Sequence, residues 1–109
     1  MPVYIVLHYQ TSEGRNVVAE WLRGLRDRLA AARIAARLDR MAAGNLGDWK
    51  PLRDGVCELR VHHGPGYRVY FARTGEAFVL LLCGGDKGAQ DKDIERALEY
   101  LKDYKRRSQ

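Results

Sequence analysis

The chain is poor in cysteine. Cys57 and Cys83 are its only two, with no CxxC spacing between them. A cysteine zinc site is therefore excluded, and free thiols are expected rather than a disulfide. Both thiols fall within apolar segments, where they are expected to be buried and free in a reducing compartment. No apolar run approaches the roughly 20 residues that a membrane-spanning helix needs. The opening "MPVYIVLHYQ" lacks a basic n-region, so no signal peptide is expected and the cytoplasm is the expected compartment. Internal repeats, low-complexity tracts and linkers are missing, which leaves one domain over 1–109. "GGDKG" lacks the spacing of a phosphate-binding loop, and no metal-ligand cluster is visible, so neither a metal nor another cofactor is expected. Acidic residues are in the minority. Fourteen Asp and Glu face nineteen Lys and Arg, a net charge of +5 that suits an anionic partner such as nucleic acid.

What is present reads as an α+β domain. Val3 to Tyr9 is rich in β-formers and predicts a strand. From Arg15 to Ala43, apolar residues recur at helical spacing (Val18, Trp21, Leu22, Leu25, then Ile34, Leu38, Met41). That is long for one helix, so a break near Asp27 to Ala31 is expected to give a helical hairpin, with Thr11 or Ser12 capping its start and Gly44 its end. "NLGDWKPLRDG" reads as a loop. Strands follow at about Val56–His62, Tyr67–Arg73 and Ala77–Cys83, the last apolar on both faces, and a final helix runs from Gln90 to about Arg106. The predicted order is β-α-α-β-β-β-α, with a largely antiparallel four-stranded sheet and helices segregated to one side.

Strand parity sorts the side chains. Leu59, Val61, Val69 and Phe71 share the core face, so Glu58, Arg60, His62, Arg68 and Tyr70 share the other. Pairing Val61 with Val69 sets Arg60 against Tyr70 and His62 against Arg68, around a loop from His63 to Tyr67. The expected result is a basic patch on a sheet face the helical hairpin leaves open. His62 and His63 are candidates for general base or acid, because imidazole titrates near neutral pH. Tyr70 is a candidate to stack on a base, and Arg73 extends the cationic series.

The segments "ELRVHHGPGYRVYF" and "VLLLCGGDKGAQDKDIERA" resemble the RelE/ParE superfamily of type II toxin-antitoxin toxins. They are most similar to its phage-derived Gp49-like branch, the HigB-type addiction module killer proteins. The resemblance implies a compact sheet with a helical hairpin and a C-terminal helix. It implies a toxin neutralised by a cognate helix-turn-helix antitoxin (HigA-like), through which alone it would meet operator DNA. RelE- and HigB-like members cleave mRNA, typically on the ribosome, whereas ParE-like members inhibit DNA gyrase, so fold alone does not choose. A degenerate antitoxin-binding module is a third reading.

By the same resemblance, Arg68 holds the place of the arginine that acts on the scissile phosphate. Arg60 and Arg73 would contact RNA. Lys87 stands where such nucleases carry a second functional arginine, and Asp86 and Gln90 belong to the "GDKxxQD" signature as orienting groups. Metal-independent cleavage by the 2′-hydroxyl needs a base, an acid and cations for the phosphorane charge. Two departures stand out. RelE-like nucleases carry lysines where this chain has Val56 and Glu58, and a tyrosine where it has Asp93.

Overall fold

The computed structural model describes residues 3–108. In chain order the elements are β1 (Ile5–His8), α1 (Val17–Gly24), α2 (Arg28–Ala42), β2 (Trp49–Arg53), β3 (Val56–Val61), β4 (Tyr67–Gly75), β5 (Phe78–Asp86), a 3-10 turn (Lys87–Ala89) and α3 (Gln90–Arg107). The five strands form one mixed sheet in the order β1-β5-β4-β3-β2. β1 runs parallel to β5, and the other neighbours are antiparallel.

The helical hairpin forms as the periodicity predicts, with different caps. Asn16, not Thr11 or Ser12, caps α1 by accepting from the Ala19 amide at 3.0 Å. Asp27 caps α2 through the Ala30 amide at 3.0 Å, so the break falls at Leu25–Asp27. Arg28 Nη1 donates to the carbonyls of Leu22, Arg23 and Leu25. A cation thus meets the negative end of α1 and locks the two helices at their junction. Gly44, at φ +97°, ends α2 as expected.

Two expectations are corrected. The segment read as a loop holds β2, joined to β3 by a two-residue turn in which Asp54 (φ 51°) and Gly55 (φ 87°) are both left-handed. That is the backbone a tight β-hairpin requires. Pro51 sits in β2 without cost to the sheet, because β2 is an edge strand. The helices are also not segregated. Val18, Ala30, Ile34 and Met41 of α1 and α2 pack on one face against Leu59, Val69, Phe71 and Leu81. Ala97 and Leu101 of α3 pack on the other against Val56, Tyr70, Ala72 and Leu80. The face expected to be open is a second core.

The register of the central hairpin is displaced by two residues from the expected pairing. Leu59 pairs with Val69, Arg60 with Arg68 and Val61 with Tyr67. A shift of two leaves every side chain on its predicted face, but it moves His62 out of the strand into the loop.

Candidate nucleic-acid interface

The loop His62–Gly66 and the end of β5 enclose an open cleft of about 480 Å³ lined by Arg60, His62, His63, Arg68, Lys87 and the loop backbone. Every ionisable side chain lining it is a base. The loop folds back through a Gly66 amide to His63 carbonyl hydrogen bond of 2.9 Å, and the Lys87 amide donates to the Gly66 carbonyl at 2.9 Å. That second bond carries Lys87 beside the hairpin. Its side chain is exposed, and no ion pair among the described residues engages it.

Carboxylates stand behind this lining. Arg60 and Arg68 lie directly opposite one another on β3 and β4, a like-charge pairing that is unfavourable without counter-charges. Asp48 supplies one, 3.1 Å from Arg60 Nη2 and 2.6 Å from His62 Nε2. Glu58 supplies another, 2.7 Å from Arg68 Nε. The latter contact lies off the N–H axis, so it is an ion pair without an aligned hydrogen bond. Asp27, the cap of α2, sits 3.1 Å from His63 Nε2.

Both acids that face a histidine hold their protons weakly. Asp48 is kept below the usual carboxylate range first by its hydrogen bond to His62, then by Arg60. Asp27 is lowered first by the Ala30 amide, then by His63. With Nε2 turned to a carboxylate in each ring, the neutral tautomer carries its proton there and leaves Nδ1 as the free acceptor.

Arg60, Arg68, Lys87, His62 and His63, singled out from the sequence, all line this one cleft. The parity argument put only His62 on the outward face. Both histidines line the cleft because the strand ends at Val61.

Four other candidates lie elsewhere. Tyr70 is fully buried under α3 and cannot stack on a base; burial first, then Glu58, push its hydroxyl well above the usual range. Arg73 sits further along β4 on the opposite face, its guanidinium 5.3 Å from the Tyr4 ring centroid. Asp86 does not orient Lys87; its Oδ1 accepts from the Ala89 amide at 3.2 Å and caps the 3-10 turn. Gln90 does orient a group, but that group is Glu58, to which its Nε2 donates at 3.3 Å. Neither Gln90 nor Asp91 caps α3 by a side-chain hydrogen bond.

Sequence reasoning missed Asp27 and Asp48, whose roles arise from contacts distant in sequence. Glu58 was legible from parity, which places it with Arg60 and Arg68 as a counter-charge, and it lies 2.7 Å from Arg68 Nε. Both cysteines are buried and free as expected, and burial pushes Cys83 up to about 12, so neither serves as a nucleophile. Among the described residues, no group of three or more His, Cys, Asp or Glu side chains could hold a metal. No described helix is long and apolar enough to cross a membrane.

The family model described as "Phage derived protein Gp49-like (DUF891)" matches residues 20–102, which span part of α1, all of α2, the cleft and most of α3. The chain belongs to the Gp49-like family. This is a RelE/ParE-type toxin family. An uncharacterized protein of Haemophilus influenzae (strain ATCC 51907 / DSM 11121 / KW20 / Rd) is 51% identical over 77 residues, covering 71% of this chain and 78% of that one.

Proposed function

We propose that this Gp49-like protein is the toxin of a type II toxin-antitoxin system. Its activity is HigB-type: metal-independent cleavage of mRNA, on the translating ribosome, with restraint by a cognate helix-turn-helix antitoxin. The observation that carries the reading is the cleft itself, in which two arginines, a lysine and two imidazoles converge and no carboxylate lines the wall. A cleft of that chemistry fits an RNA phosphate, whose charge grows as the 2′-hydroxyl attacks. In this reading Arg68 and Lys87 stabilise the phosphorane and Arg60 holds the neighbouring backbone. One histidine accepts the 2′-hydroxyl proton at Nδ1. His63 suits this role better, because its ring is sheltered and held by Asp27, whereas the His62 side chain is 74% exposed. Lys87 or the second histidine returns a proton to the leaving 5′-oxygen.

The test is inducible expression without antitoxin, followed by mapping of RNA 5′ ends. Wild type is compared with Lys87→Ala, an exposed site whose loss leaves the fold intact. New 5′ ends inside translated messages, sharply reduced in the variant, are expected. Growth arrest with no new ends would overturn the nuclease reading and favour a protein target such as gyrase.

A further inference from the structure

We propose that Glu58 is a positioning residue that fixes the Arg68 guanidinium for phosphate recognition. The proposal rests on the reading of the cleft as an RNA phosphate site and deepens it.

Glu58 is an acid in the middle of β3, with its side chain on the same face as Arg60 and Arg68. In the structure its side chain is 1% exposed. A buried carboxylate is costly unless opposite charges and hydrogen bonds meet it. Three elements meet it, with two cations and one hydrogen bond, and Oε2 is left without a hydrogen-bond partner. Arg68 Nε of β4 lies at 2.7 Å, Lys50 Nζ of β2 at 3.8 Å and Gln90 Nε2 of α3 at 3.3 Å. Glu58 is thus pinned from both neighbours in space and from the helix above.

What it pins is oriented. Arg68 is flanked by Arg60 on β3 and by Gly85 on β5, and its side chain is 11% exposed. Glu58 takes its Nε side. Among the described residues no hydrogen bond engages Nη1 or Nη2, while the side chain lines the cleft. One edge of a planar fork is therefore held from behind, and the terminal nitrogens are left for an anion. Pre-setting a fork in this way lowers the ordering that phosphate binding would otherwise demand. It also holds Arg68 in place against the repulsion of Arg60. A purely structural ion pair would need the same contact but would not govern how the free end behaves.

The experiment separates the two. The 15N-labelled full chain gives a side-chain Nε–Hε signal for each ordered arginine. Wild type, Glu58→Gln and Glu58→Asp are titrated with inorganic phosphate, and kcat and KM for cleavage of mRNA on programmed ribosomes are measured in parallel. A dispersed, slowly exchanging Arg68 signal that moves with phosphate is expected for wild type. In Glu58→Gln the signal should merge with the exposed arginines, and kcat should fall by about 100-fold with KM moving far less. Glu58→Asp keeps the charge one methylene further back and should recover part of both; it carries the test if the glutamine variant does not fold. An Arg68 signal as dispersed as wild type in a folded Glu58→Gln, or kcat unchanged in both variants, overturns the proposal. If wild type cleaves no RNA, the nuclease reading falls, and the Arg68 signal with its phosphate response still decides whether Glu58 positions Arg68.

Discussion

Replacing Arg68 by alanine is the substitution its motif invites, yet it would strand Glu58 in the sheet with only Lys50 and Gln90 beside it. Removing one partner of a buried pair costs about 3–5 kcal/mol, so lost activity in that variant would be confounded with lost stability. Arg68→Lys keeps the charge and removes the fork; it should stay folded by circular dichroism while RNA cleavage drops. A second buried acid makes a pH-dependent prediction. Asp93 lies against Gly85, where even a Cβ would come within 1.9 Å of its Oδ2. Burial raises its pKa more than Arg96 lowers it. A carboxyl whose folded pKa stands above the unfolded value of about 3.9 binds its proton more tightly when folded. It therefore favours folding at low pH and loses that contribution as pH rises through the raised pKa. Asp93→Asn removes this penalty. Its Tm relative to wild type should be higher at pH 7 than at pH 4, and a constant difference would contradict the assignment.

At the level of elements, the α1–α2 junction joins a helix cap to the cleft. Asp27 accepts from the Ala30 amide and faces His63 through its other oxygen. Asp27→Asn keeps the capping acceptor and removes the charge, so it should lower cleavage while leaving Tm nearly unchanged. Asp27→Ala should lower both. Thermal melts beside a cleavage assay distinguish them. Most elements were legible in the sequence because their periodicity is local: the two-helix pattern, the three hairpin strands and α3 all form close to their expected limits. β2 was not, since Pro51 and exposed side chains hide its alternation; the signal that could have found it was Asp54-Gly55, a hairpin turn in two letters. Parity put Arg60, Arg68 and Tyr70 on the same face, but it says nothing of what covers a face. The apolar stripe of α3 required burial, and the fully apolar β5 signalled that both sides of the sheet were taken. Those two facts together pointed to a buried Tyr70.

For the whole molecule, the +5 net charge is a statement about partners. If the cleft binds an RNA strand, affinity must fall with salt, by a slope of about −0.7 in log K per log salt for each neutralised phosphate. Lys87→Ala should reduce the slope by about 0.7, measured by fluorescence anisotropy with a short unstructured RNA across salt concentrations. A slope equal to wild type would place Lys87 away from the backbone.

The parallel pairing of β1 with β5 joins Ile5 to Phe78. A ribosome making this chain releases the first strand long before its mate exists. At roughly 5–20 residues per second, Ile5–His8 waits on the order of 4–15 s before Phe78 is even added. Lys87 is translated later still, and α3, which seals the second core, follows it. Until then the cleft lacks Lys87, and Glu58 lacks the Gln90 amide that meets it. A protein that attacks messages would thus be harmless to the message encoding it until its own synthesis is nearly done.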